Sequence, residues 1–213
     1  MEREFQQLTL RENNRSAISK ETHYFVVSIE CADILPNAQF DMFCCRWVAG
    51  NAAGNGTLIP GLVEMKYGNA AIGGDAGIVK HYLDARSLLL NLDLWQAMVR
   101  DMQKNLRQLD KLDLLRYNHP AAGNPLVIDE HQKPQLIFLL ASYNTNAIVL
   151  LNELDKLLAL RQTDEHRADE SRFSLRFFLA PFAGYGMFNS CMMTIEDFRN
   201  EVARRHALGF DGE

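Results

Sequence analysis

Cysteine is scarce in this chain, with four in 213 residues. Cys31, Cys44, Cys45 and Cys191 form no CxxC pair and are not interleaved with histidines, which excludes the common zinc arrangements. They are expected to be reduced core thiols. Long apolar runs are also missing: the best, Leu136 to Ala141, is far too short to cross a bilayer. The N-terminus, MEREFQQLTLRENN, lacks the basic-then-apolar layout of a secretory signal, so no membrane association and a soluble, cytoplasmic protein are expected. An excess of positive charge is absent as well. The net charge of −5 excludes a general, sequence-blind affinity for nucleic acid, although local basic patches stay possible. Repeats and low-complexity segments do not occur. What is there, 47% hydrophobic and 23% charged residues, is the composition of an ordinary globular protein able to bury a full core. One domain over 1–213 is expected, with a core of about 1–142 and a C-terminal elaboration of about 143–213.

Residue types then mark the elements. Tyr24 to Ala32 is rich in β-branched and aromatic residues and reads as a strand, with Pro36 and Asn37 as the turn after it. Phe40 to Val48 is a second strand, and Ala49 to Gly56 is a loop. Thr57 to Tyr67 is a third strand, with Pro60 and Gly61 expected to bend or bulge its start. After Gly68 to Gly77 a helix is expected from near Ala76, continuing with a break from Ser87. There Leu88, Leu92, Trp95, Val99, Met102, Leu106 and Leu109 recur in steps of four and three. This seam suits core packing, and a homodimer contact through the 88–109 helix is a further possibility. Tyr117 to Lys133, punctuated by Pro120 and Pro125, reads as surface loop. Pro134 to Ser142 reads as a strand covered on both faces. A helix capped by Asn144 or Thr145 follows, its inner face traced by Ile148, Leu151, Leu154 and Leu158. Gln162 to Arg172 reads as a solvated loop, Phe173 to Ala180 as a fifth strand, and a last helix starts near Thr194, where Thr194 and Asp197 suit a capping box. The fold class is α/β: a central mixed sheet of about five strands, opening with a three-strand meander and flanked by helices.

Alternation puts Leu62, Glu64 and Lys66 on one face of the third strand, and Val63, Met65 and Tyr67 on the other. Asp41 is the single acid inside another mostly apolar strand, where a lone carboxylate is costly without a partner. If the strands are neighbours, Asp41 and Glu64 converge. Two such carboxylates repel unless a cation lies between them, and hard oxygen ligands suit Mg²⁺ or Mn²⁺. Such an ion activates water and offsets charge on a phosphodiester. Lys66, on the same face, is placed to orient the water or stabilise the transition state.

Asp41 in one strand, a loop, Glu64-Met65-Lys66 in the next, then a helix and an apolar strand, resemble the PD-(D/E)xK nuclease superfamily. The likeness covers about residues 1–142 in element order. It implies a restriction-endonuclease-like fold and a Mg²⁺- or Mn²⁺-dependent nuclease, an endonuclease-type hydrolase acting on DNA more readily than RNA. It also implies that Asp41, Glu64 and the Met65 carbonyl are metal ligands and that Lys66 is the catalytic lysine. Ala38, Gln39 and Phe40 precede Asp41, so the proline of the family's name is absent. The family tends to carry an acid on a helix before the first strand. Glu2, Glu4, Glu12 and Glu21 compete for that role, with Glu4 favoured, and Glu30 is another accessory acid. Lys80 and His81, on the helix after the ExK strand, are further accessories for touching the substrate backbone or backing Lys66. The alternative function is a catalytically inactive nuclease-like domain serving as a nucleic-acid or protein interaction module. A small-molecule enzyme using the Gly68–Gly77 loop is a third reading. The aromatics Phe182, Tyr185 and Phe188 suit packing more than base stacking.

Overall fold

A computed structural model describes residues 2–35, 38–47, 56–68, 71–74, 77–117, 125–142, 148–180 and 184–207. The expected turn at Pro36 and Asn37, the loop through 55, the caps Asn144 and Thr145, and Phe182 lie outside these residues. The fold is α/β, with an open mixed sheet of six strands flanked by helices. β1 (Tyr24–Leu35), β2 (Ala38–Trp47) and β3 (Thr57–Tyr67) form an antiparallel meander. β4 (Val127–Ile128) and β5 (Gln135–Ser142) both run parallel to β3, and β6 (Ser174–Leu179) runs parallel to β5. The order across the sheet is β1-β2-β3-β5-β6, with β4 pairing the start of β3 ahead of β5.

β5 occupies a central place because both its faces are apolar. Leu136, Phe138 and Leu140 enter the larger core cluster, whereas Ile137, Leu139 and Ala141 enter the smaller one on the opposite face. On the larger side lie α2 (Ile78–Leu90), α3 (Leu92–Lys111), α4 (Ile148–Arg161) and, after two single-turn helices α5 (Asp164–Arg167) and α6 (Asp169–Arg172), the last helix α7 (Ile195–Ala207). Thr194 Oγ1 accepts from the Asp197 N–H at 3.1 Å and donates to Asp197 Oδ2, which closes the start of α7 as expected.

Several expectations need correction. Pro60 and Gly61 make no bulge, since the β2–β3 register runs unbroken from Met42↔Val63 to Trp47↔Leu58. Pro60 is tolerated because Ile59 and Pro60 fall between the β4 pairing, which ends at Leu58, and the β5 pairing, which begins at Gly61. Tyr117 to Lys133 is not all surface loop, as Leu126 and Ile128 are buried around β4. Gln162 to Arg172 is not a solvated loop either. Buried Asp169 accepts from Tyr82 Oη and from Arg86 Nε, both at 2.7 Å, and so pins α2 from below. On α4 Leu154 is buried and Leu151 and Leu158 pack against the core as expected, but Ile148 is 51% exposed, and Leu150, Glu153 and Leu157 are also buried.

The long seam is divided at Asn91, whose side chain accepts from the Leu94 N–H and caps α3. Trp95, Val99, Met102 and Leu106 are buried in the chain's own core, whereas Leu92 is 63% exposed. The apolar stripe that a homodimer would need is therefore committed within the chain. Asn91→Ala is expected to lower stability by about 1 kcal/mol in urea denaturation with an unchanged m-value.

The smaller face is covered by α1 (Glu2–Asn14), a helix not expected from apolar periodicity. Its buried residues are Gln6, Thr9, Asn13 and Asn14. Asn14 Oδ1 accepts from the Val26 N–H at 2.9 Å while Asn14 Nδ2 donates to the Val26 carbonyl at 2.7 Å, so one side-chain amide pairs with the outer edge of β1. Asn13 likewise donates to the Tyr185 carbonyl and accepts from the Met187 N–H, both at 2.8 Å. α1 is held to the sheet by these amides and by Phe5, which stacks on Tyr67 of β3 at 4.9 Å, with Leu10 against the same cluster.

The cysteines are free, but not all are in the core: Cys191 is exposed and Cys31 half-buried. Burial pushes the Cys44 thiol up to about 12 and raises Cys45 as well. An aromatic disulfide reagent is expected to label Cys191 first in the native protein and to reach Cys44 and Cys45 only after unfolding. Native labelling of either strand thiol would show that β2 opens.

Candidate active site

The β2–β3 ladder ends at Met42↔Val63, and the next residues in that register are Asp41 and Glu64. Here a side chain replaces the ladder: Asp41 Oδ2 accepts from the Met65 N–H at 2.7 Å. Asp41 Oδ1 accepts from Gln6 Nε2 of α1 at 2.9 Å. Asp41 is thus fixed from two sides. A strand residue directs its N–H and C=O to the same flank, so the Met65 carbonyl faces the flank that carries Asp41.

Glu64 is 1% exposed and Lys66 is 4% exposed. Neither oxygen of Glu64 has a hydrogen-bond partner. His81 Nδ1, from the first turns of α2, stands 2.9 Å from Glu64 Oε2, yet without the alignment a hydrogen bond requires. Asp41 and Glu64 are neighbours at the end of the β2–β3 ladder, and the Glu64 charge acts on Asp41. Two ionised carboxylates side by side repel, which a proton or a cation relieves.

Desolvation, and for Asp41 also the charge of Glu64, pushes Asp41 up to about 7 and Glu64 up to about 8. Burial lowers the Lys66 ammonium, against the pull of Glu64 and Asp41. Burial and then the Lys66 charge lower His81. Glu2 is raised by burial and by Asp41.

Most of these groups line a cleft of about 340 Å³, together with Arg3, Gln6, Glu30, Gln39 and Ala71. Buried Glu64 is not part of the lining. The upstream acid at the cleft is Glu2, whereas exposed Glu4, favoured from the sequence, does not line it. Glu30 pairs with Arg3 at 3.2 Å and adopts a left-handed φ of 51°. Lys80 is held by Asp84 at 2.5 Å and does not line the cleft. Gln6 was not expected from the sequence. Its signal is the polar spacing Gln6, Thr9, Asn13 along α1, at steps of three and four.

The glycine-rich loop borders the cleft through Ala71. A Cβ on Gly77 would meet Gly73 Cα at 2.8 Å and the Ile72 carbonyl at 2.9 Å. That glycine serves the closure of the loop on itself.

A divalent ion fits these residues on one count: a buried carboxylate with two unpartnered oxygens is costly as it stands and is matched by a hard cation. Among the described residues, no group of three or more His, Cys, Asp or Glu is placed to hold a metal ion. What the chain offers a cation here is limited to the Asp41 and Glu64 carboxyls beside the Met65 backbone. Among the described residues, no helix is long and apolar enough to cross a membrane. No family model, no characterised protein and no solved structure matches the chain.

Proposed function

We infer that this chain is a divalent-metal-dependent phosphodiesterase of the PD-(D/E)xK type acting on nucleic acid, with DNA the substrate to assay first. The observation that carries the reading is Glu64, buried at 1% exposure with no hydrogen bond to either oxygen, next to Asp41 in the β2–β3 register and sharing a strand face with Lys66. A divalent cation bound there supplies Lewis acidity and a more acidic water. Asp41 and Glu64 would hold it. Gln6 and the Met65 N–H, one on each oxygen, hold the Asp41 carboxylate in one orientation. Lys66 presents positive charge to the phosphodiester oxygens as negative charge grows on them, inside a site with little water to screen it. Because burial lowers its pKa, Lys66 also holds at Nζ a proton it can release more easily than an exposed lysine.

One observation favours a second reading, the same scaffold used as an interaction module without turnover. Glu64 and Lys66 are nearly sealed from solvent, and a phosphodiester must reach them. The two separate in one assay. Purified protein is incubated with plasmid, single-stranded DNA and RNA in Mg²⁺ or Mn²⁺, beside Lys66→Ala. Cleavage by the wild type alone supports the hydrolase. Intact substrates in every lane, with metal bound, transfer the case to the module.

A further inference from the structure

Resting on the nucleic-acid reading above, we propose that Arg3 receives a phosphate of the incoming strand at the solvent end of the cleft, and that its pairing with Glu30 is a resting contact which the strand displaces. Arg3 and Glu30 come from different elements, α1 and β1, yet both line the cleft and their side chains meet at 3.2 Å. The lining carries three acids, Glu2, Glu30 and Asp41, against two cations, Arg3 and Lys66. A polyanion is repelled from such a cleft unless positive charge meets it on the way in. Lys66, 4% exposed, is too deep for a first contact, whereas the Arg3 side chain is 67% exposed. A guanidinium also suits the task, because its planar fork matches two phosphate oxygens at once.

The pair with Glu30 is built to give way. The Glu30 side chain is itself 36% exposed, so water screens the attraction and the contact is weak. Glu30 is moreover held at a left-handed φ of 51° inside β1, opposite Asp41 and between the pairs Ile29↔Met42 and Cys31↔Phe40. For a residue with a Cβ that conformation costs more than an exposed ion pair returns. The surrounding strands, and not Arg3, therefore fix Glu30 in place. When the pair parts, the member that moves is Arg3, carried in the first turn of α1 on a long flexible stem. The exchange trades one oxyanion for another on the same guanidinium. Glu30 thereby sets how readily a strand enters.

The test uses the full chain in chelator, so that bound metal plays no part, and follows a short fluorescein-labelled single-stranded DNA by anisotropy over a range of NaCl concentrations. Wild type, Arg3→Gln, Glu30→Gln and the double variant are compared. Arg3→Gln is expected to weaken binding about tenfold and to flatten the plot of log affinity against log salt by about 0.7, the share of one phosphate contact to a single strand. Glu30→Gln, which frees Arg3, is expected to tighten binding about two- to fivefold. The double variant separates contact from screening. If Arg3 touches the strand, the double variant keeps the flatter slope and binds at least about fivefold more weakly than Glu30→Gln. Unchanged affinity and slope in Arg3→Gln, a Glu30→Gln that binds no tighter than wild type, or a double variant that matches Glu30→Gln overturns the proposal. If the wild type binds the strand but is indifferent to Arg3, this inference fails alone. If neither wild type nor Glu30→Gln binds single-stranded DNA, duplex DNA or RNA, the nucleic-acid reading fails with it.

Discussion

Replacing Lys66 with methionine is expected to lower the single-turnover rate of DNA cleavage by about two to three orders of magnitude while metal affinity falls little or rises. Methionine keeps most of the volume of a side chain that is 4% exposed, so the change removes charge without opening a cavity. The ammonium lies among Glu64, Asp41 and Glu2, whose charges all act on it. Its loss leaves those carboxylates more negative in sum, which favours a cation and disfavours an incoming phosphodiester. A variant that loses cleavage and metal binding together would mark Lys66 as structural. A variant that cleaves within a few-fold of wild type would remove Lys66 from the mechanism.

In chelator, Glu64→Gln is expected to be more stable than the wild type at pH 8, by on the order of 1–3 kcal/mol. The ordinary values for Asp41 and Glu64 are 3.8 and 4.5, and the folded values are about 7 and 8. Between these limits the folded chain holds more protons than the unfolded one, so raising the pH favours unfolding. Wild-type stability therefore falls from about pH 4 to about pH 8 and levels off above, because burying a charge without a partner has a cost. Glutamine carries no such charge, and its pH profile should be flatter. Glu64 is a better position for this test than Asp41, whose oxygens already accept from Gln6 and Met65. At roughly 2–4 °C per kcal/mol for a chain of this size, the difference is readable in a thermal melt. Saturating Mn²⁺ should reverse the order, since only the wild type gains stability by binding. If Glu64→Gln melts below wild type at pH 8 in chelator, the carboxylate has a partner and the site is misread.

The parts of the molecule legible from residue pattern are those whose signal is apolar. β3 begins and ends at Thr57 and Tyr67 as expected, and β5 shows its two-faced burial in the run Leu136 to Ala141. The register that sets Asp41 opposite Glu64 follows from the meander. α1 was illegible because its buried side is polar: Gln6, Thr9, Asn13 and Asn14 give no apolar period, although they bond the helix to the sheet. Without α1's polar pattern, nothing in the residue order separates Glu2, which lines the cleft, from Glu4. The segment Gln162 to Arg172 failed for a related reason. Its charges look solvated in one dimension, and only the arrival of Tyr82 and Arg86 from α2 makes Asp169 a buried partner. Lys80 and His81 are neighbours in sequence but one pairs with Asp84 and the other with the site, a division that helical geometry imposes.

The pin between Tyr82, Arg86 and Asp169 links α6 to a cleft it does not line. α2 carries His81 on the side toward the cleft and Tyr82 on the side toward Asp169, so the two contacts are consecutive residues on one rigid rod. Any change at Asp169 that lets the rod roll by a few degrees re-aims the imidazole by a comparable angle. Tuning of this site can thus arise 105 positions along the chain from Glu64, in a segment whose own surface looks like ordinary charged exterior.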